Sequence, residues 1–390
     1  MKKKQLFALL MCSIVLGSGN GLFPLLPVYA EQLGSQPAAV GYYLSFCYIG
    51  LTAGTSVGGW LSDKFQRRKI LLLIGGGVNV PVIWLLGRAT NIWNLAALTA
   101  GCYFLGSMLI TLISILTGLF AEPEERGKIF GLLTLTGPLM MLVAGATFGS
   151  IVDRWGFQTM FTGLALFASL FLLFALLVED KTMVLTQTNA NSPARDKVGL
   201  GRGFYLLVLA CILSSCTYFV GRLGISLAMN KLSYTLTSIS ITGAIGGGVA
   251  LPLLPTLGWL SDRLGRKRLL VFCYLVGILG SFILAAALFQ WHFWVVSGLL
   301  SIMLNGVTAV GSALVTDLVP RSALGRGMSL FNASTWIGGI IGLGGTGLAV
   351  QGFGMAPTFI AAAFLPVVAI LLLIRVQRVE KGMFGAAAGN

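Results

Sequence analysis

Gly258-Trp259-Leu260-Ser261-Asp262-Arg263-Leu264-Gly265-Arg266-Lys267-Arg268 is a dense charged turn between two long apolar runs, in a chain where 10% of residues are charged. A near copy stands 199 positions earlier, Gly59-Trp60-Leu61-Ser62-Asp63-Lys64-Phe65-Gln66-Arg67-Arg68-Lys69. In each copy the same acid, followed by a basic cluster, closes the second long apolar run of its half. The organisation of the other residues can be worked out from this pair.

The 390 residues are 56% hydrophobic, with a mean hydropathy of +0.90. A soluble chain of this size would carry more charge. A bilayer-crossing helix needs about 20 apolar residues, and roughly twelve such runs fit here. They are continuous and rich in Leu, Ile, Ala and Gly, which excludes the weak alternation of a membrane β-barrel. The reading is therefore an all-α membrane protein. The net charge of +14 reports topology: with Met1 inside, all but four of the 26 basic residues, namely Arg88, Arg154, Arg222 and Lys231, fall on cytoplasmic segments. No basic, aromatic-interleaved soluble domain is present to bind nucleic acid. The six cysteines all lie in apolar runs without metal spacing, as small core residues. Lys2-Lys3-Lys4 before an apolar run imitates a signal peptide, but the run is long and is needed for an even helix count, so it reads as an uncleaved first span.

Spans are expected at about 5–30, 38–61, 70–87, 93–120, 129–151, 157–178, 204–228, 236–260, 269–289, 293–316, 327–350 and 356–375. The polar stretch 179–203, containing Asn189, Asn191, Ser192, Pro193, Arg195 and Asp196, is a linker. It separates an N-terminal six-helix bundle, 1–178, from a C-terminal one, 204–376, followed by a cytoplasmic tail, 377–390. Both termini are expected on the cytoplasmic side of the cell membrane. Landmarks repeat between the halves: Arg126-Gly127 matches Arg326-Gly327 at an offset of 200, and Gly149, Gly156 and Phe161 match Gly347, Gly354 and Phe359 at 198. Such a parallel repeat is a signature of secondary transporters.

The charged turn resembles the cytoplasmic motif Gly-x-Leu-Ala-Asp-Arg-x-Gly-Arg-Lys of the major facilitator superfamily. The second copy departs at Ser261, and the first copy has Gln66 where the motif has Gly. The opening Gly21-Leu22-Phe23-Pro24-Leu25-Leu26-Pro27 is similar to the twelve-helix drug-efflux branch. The resemblance implies two pseudo-symmetric six-helix bundles that rock about a central site. It also implies a gating latch: Gly59, Asp63, Arg67 and Arg68 against the helix start at Arg326, and Gly258, Asp262, Arg263, Gly265 and Arg266 against the start at Arg126. A carboxylate near a helix N-terminus is favoured by the helix dipole, and a contact made in one state and broken in the other is what alternating access needs.

An ionisable residue inside a span is usually functional, and no Asp or Glu falls inside one; all twelve lie at span ends or in loops. Cys102 stands about where many family members carry an Arg, and Met141-Leu142 replaces the later Gly pair of the efflux motif after Gly137-Pro138. A proton is therefore left unassigned as coupling ion. His292 reads as an interfacial residue. Arg222 either snorkels to the surface or meets an anionic group in the cavity. Asn20, Tyr103, Met140, Met141, Tyr218, Asn305, Asn332 and Trp336 fall near the midplane and suit an amphipathic ligand. The glycine-rich runs Gly243 to Gly248 and Gly338 to Gly345 permit close helix approach.

No constellation of His, Cys and acids suggests an enzyme, and no cofactor site is read. The expected activity is secondary transport of a small organic solute by a monomer in the bilayer, with efflux of hydrophobic or amphipathic compounds favoured. Uptake or facilitated transport of a small metabolite, anionic if Arg222 faces the cavity, is the alternative, and a transporter-like sensor or scaffold is the third reading.

Overall fold

A computed structural model describes residues 3–122, 125–180, 200–320 and 323–387. Among them there are helices and turns and no strand. The helices are α1 Lys3–Gly17, continued by a 3-10 turn Ser18–Leu22, α2 Leu26–Gln32, α3 Pro37–Phe65, α4 Arg68–Leu86, α5 Ile92–Phe120 and α6 Arg126–Leu177. In the second half they are α7 Arg202–Lys231, α8 Leu236–Leu264, α9 Arg266–Ala285, α10 Gln290–Leu318, α11 Leu324–Phe353 and α12 Met355–Ala387.

Ten helices among the described residues are long and apolar enough to cross a bilayer. One of them, the 52-residue α6, bends at Gly156 (φ 77°, ψ 169°) into two arms. α3 is also long enough at 29 residues, though less apolar. Two arms of α6 and the addition of α3 account for the twelve expected segments. The turn expected at Asp153-Gly156 is present as the non-helical Gly156, where one helical arm ends and the next begins without an intervening loop. Helix starts follow local chemistry: Pro37 begins α3 after an extended Gln36, and the Asn91 side chain caps α5 by accepting from the Asn94 N–H at 2.8 Å.

The backbone repeats as the sequence does. Among the described residues, six of the seven with positive φ form three pairs at the repeat offset: Gly34 with Ser233, Gln66 with Gly265, and Gly156 with Gly354. Non-glycine residues at such positions are uncommon, so Gln66 and Ser233 hold their conformation because the fold requires it.

The chain divides into two compact units, Met1–Thr188 with Met229–Gly248, and Asn189–Ala228 with Val249–Asn390. In the first unit α5 packs on α1 and α4, and all three pack on α6, around Leu9, Cys12, Leu72, Leu109, Leu112 and Phe171. α3 lies against α5 through Gly50, Gly54 and Gly58; a Cβ at Gly54 would stand 2.1 Å from the Phe104 carbonyl oxygen. In the second unit α9 packs on α10 and α12. There α11 approaches α7 through Gly338, Gly339 and Gly342, where a Cβ at Gly338 would meet the Ile212 carbonyl oxygen at 2.5 Å.

Candidate functional site

The first charged turn joins α3 to α4. Gln66 caps α3 in the left-handed region, its N–H donating to the Ser62 carbonyl at 3.1 Å. Asp63 and Arg67 are exposed, and Lys64 lies over the Trp60 ring at 4.6 Å. Arg68 folds inward: it is buried, and its Nε donates to Ser62 Oγ at 2.7 Å. Lys69 ties α4 to the end of α6, its N–H donating to Asp180 Oδ2 at 3.2 Å and its Nζ to the Leu176 carbonyl at 2.7 Å. Arg126 is exposed, and its Nε donates to the Ala121 carbonyl.

The second turn, between α8 and α9, has Gly265 at φ 86° and ψ 134°. Arg263 lies over the Trp259 ring at 4.1 Å, matching Lys64 on Trp60 in the first copy. Arg266 donates to the Ala313 carbonyl and pairs with Asp317 of α10. The repeat mate of Asp317 is Gly118, so the first copy has no acid at that position. Asp317 is not among the expected site residues; its signal in the sequence is an acid at the end of an apolar run that faces a basic turn. Gly258 and the Asp262 side chain lie outside the described atoms; Gly59 is open, and Arg326 is exposed.

The midplane set is split by environment. In the first unit Asn20 is exposed and Tyr103 half-buried, with its ring 5.8 Å from Tyr48. Met140 is buried on Gly17, where an added Cβ would come within 3.2 Å of it. Met141 packs on Gly247. In the second unit Tyr218 is buried edge-on to Phe219 at 5.0 Å. The half-buried Arg222 holds its guanidinium 5.9 Å from the Tyr218 ring, turned toward its own helix. Asn305 donates back to the Ser301 carbonyl at 2.8 Å, while Asn332 is exposed and Trp336 half-buried. His292 accepts from the N–H groups of Leu288 and Phe289 at 3.3 and 3.1 Å, which makes it a helix-start cap.

At the end of the first unit opposite its charged turn, residues 229–248 are fastened by two carboxylates. Asp153 of α6 accepts from the N–H groups of Leu236 and Thr237, at 3.1 and 2.8 Å, and from Thr237 Oγ1 at 2.6 Å. It thereby caps the start of α8 from a different helix. Glu31 accepts from Asn230 Nδ2, and burial pushes its carboxyl above the ordinary glutamate range against the lowering effect of that bond. Glu31, expected in the outer turn after the first span, is half-buried there. Glycines make the seam tight; a Cβ at Gly149 would lie 2.3 Å from the Leu236 carbonyl oxygen, and one at Gly145 would lie 2.9 Å from that of Ser240.

The model of the Major Facilitator Superfamily matches residues 7–295 and 207–389. The chain belongs to the major facilitator superfamily. It is a multi-pass membrane protein of that family. Among curated proteins it is similar to the multidrug resistance protein MdtG of Klebsiella pneumoniae strain 342, 27% identical over 278 residues, 66% of this chain and 65% of that protein. The match to MdtG of Serratia proteamaculans strain 568 is 25% identical over 300 residues, 71% of this chain and 70% of that one. The match thus spans about two-thirds of those relatives' length. Among solved structures, the nucleoside transporter NupG superposes with a TM-score of 0.79 at 15% identity, covering 96% of this chain and 99% of that one. The POT family transporter PepTSo gives 0.78 at 11% identity, covering 98% and 99%. These likenesses concern the fold.

Proposed function

We propose that the chain exports hydrophobic or amphipathic compounds by alternating access of two six-helix bundles, 1–178 and 204–376, joined by the linker 179–203. The observation that carries this reading is the similarity to multidrug resistance proteins over two-thirds of the chain. The partly exposed aromatic and amide groups, Asn20 and Tyr103 in one unit and Asn332 and Trp336 in the other, support it: they offer shape and a few hydrogen bonds, and no fixed counter-charge. Positive-inside counting puts both termini and both charged turns in the cytoplasm. The protein works as a monomer in the cell membrane.

A second reading, uptake of an anionic metabolite, rests on Arg222, a half-buried cation in a helix interior beside Tyr218. Counterflow in proteoliposomes with lipophilic cations, nucleosides, peptides and small organic anions tests both, with and without a pH gradient. Exchange of lipophilic cations is expected. Counterflow confined to anions, and lost in Arg222→Gln, would replace the first reading with the second.

In the same reading the two charged turns act as cytoplasmic latches, Asp63 toward Arg326 and Gly327, and Asp262 toward Arg126 and Gly127. A charge-assisted contact contributes about 1.5–3 kcal/mol. Asp63→Asn and Asp262→Asn are therefore each expected to lower transport roughly tenfold or more while leaving thermal unfolding in detergent near the wild-type temperature. Wild-type transport in both variants would remove the latch.

A further inference from the structure

Glu31 and Asn230 are 199 residues apart, the separation that relates the two charged turns and the turn residues Gly34 and Ser233. They are repeat mates that meet each other. One half supplies a carboxyl and the other an amide, so the pair carries one titratable group where a matched pair would carry two or none.

We propose that Glu31 is a proton-binding site that couples the packing of residues 229–248 on the first unit to the pH at that end of the molecule. The proposal rests on the alternating-access reading, because it needs this seam to open and close. The geometry supplies the rest. Glu31 closes α2, two residues after Tyr29, whose ring stacks on Phe157 at 4.3 Å and whose hydroxyl donates to the Leu86 carbonyl at 3.1 Å. The carboxyl is thus held in place, and α2 cannot swing it into solvent while Tyr29 stays seated. Its hydrogen-bond partner is a neutral amide. The charged and titratable groups on the surrounding ends are Asp153 and Arg154 of α6, Lys231 of α7, Tyr234 before α8 and Arg88 after α4. Asp153, Arg154 and Lys231 are exposed, and Arg88 lies on the Trp84 ring at 3.6 Å. Arg222, eight residues before Asn230 on α7, lies by Tyr218. Among the described residues Glu31 forms no ion pair with any of them.

A sheltered carboxyl with no cation beside it holds its proton more tightly than a hydrated one. Packing the seam shelters Glu31, and opening it lets water in. The packed arrangement therefore binds the proton better, and by linkage protons favour packing. Its contribution is full below the ordinary glutamate range and is lost as pH rises through the raised value in the packed seam. Opening of this end should become easier as the medium facing it becomes more alkaline. In Glu31→Gln the side chain keeps an oxygen that can accept from Asn230 and has no proton to lose.

Backbone hydrogen exchange of full-length protein in lipid nanodiscs reads the seam without any substrate, so a wrong substrate assignment leaves the result intact. The reporters are the Leu236 and Thr237 amides, which donate to Asp153 only while α8 is packed. After correction for the intrinsic rate at each pH, their protection in wild type is expected to fall between pH 5 and pH 8, by up to about tenfold per unit within the titration window. In Glu31→Gln it is expected to stay high and flat. Protection in wild type that does not change across this range overturns the proposal, whether or not the variant folds. An equal slope in Glu31→Gln overturns it as well, by assigning the proton to another group.

Discussion

Gln66 holds its backbone at φ 52° and ψ 6°, a region that glycine enters freely and other residues enter at a cost. Its repeat mate Gly265 occupies φ 86° and ψ 134°, farther from anything an L-residue tolerates. The family motif has glycine at this position, and the structure gives the reason: the chain must leave one helix and start the next within two residues. The first copy accepts glutamine because its turn is the milder of the two. Gln66→Gly should therefore leave the protein as stable as wild type or more stable by up to about 1 kcal/mol. Gly265→Gln should destabilise it by about 1–3 kcal/mol. Thermal unfolding in detergent checks both. A loss of stability in Gln66→Gly matching that in Gly265→Gln would refute the argument from backbone conformation. Ser62 shows how a small departure gains a partner: where the motif has Ala, its hydroxyl accepts the Arg68 Nε–H and lets that cation turn inward.

Between helices the decisive feature is the absence of side chains. Gly50, Gly54 and Gly58 recur every fourth residue on α3, and the α5 backbone lies in the groove they leave. Gly54→Ala places a methyl 2.1 Å from a carbonyl oxygen that cannot rotate away, so α3 and α5 must separate, at a cost of about 1–3 kcal/mol. Gly59→Ala, where an added Cβ meets nothing within 4 Å, should be silent, and parallel melts of the two variants decide the matter. The helices themselves were legible from apolar run length, and the repeat from its landmarks. The α3 glycines carry a signal of the same kind as the runs on α8 and α11, through their spacing. What was not legible was which neighbour each face meets. Met140 and Met141 have the composition of a ligand site, yet they pack on Gly17 and Gly247. Nothing local to residues 140 and 141 distinguishes a groove that is filled by another helix from one left open. Glu31 was read as a loop acid for the same reason, since its shelter comes from Asn230, far away in sequence.

At the scale of the molecule the two repeats are alike in backbone and unlike in chemistry. The three pairs of positive-φ turns coincide, while Glu31 faces Asn230 and Arg266 has an acid that Arg67 lacks. The seam at Gly145 and Gly149 of α6 can be tested on the whole transport cycle. A transporter that alternates must pack this seam in one state and release it in the other. The position is set by backbone against backbone: a Cβ at Gly149 would stand 2.3 Å from the Leu236 carbonyl oxygen and 2.6 Å from the Thr237 Cα. No rotamer relieves that contact, so Gly149→Val should abolish the packed state. The expected result is a protein that purifies and binds membrane normally, loses the exchange protection of Leu236 and Thr237 at every pH, and transports at least tenfold more slowly. The tenfold figure is the kinetic counterpart of about 1.4 kcal/mol against one state of the cycle, a modest demand for a clash of this size. Transport at the wild-type rate in Gly149→Val, with the protection of Leu236 and Thr237 lost, would mean that the cycle does not need the packed seam, and alternating access at this end would have to be abandoned.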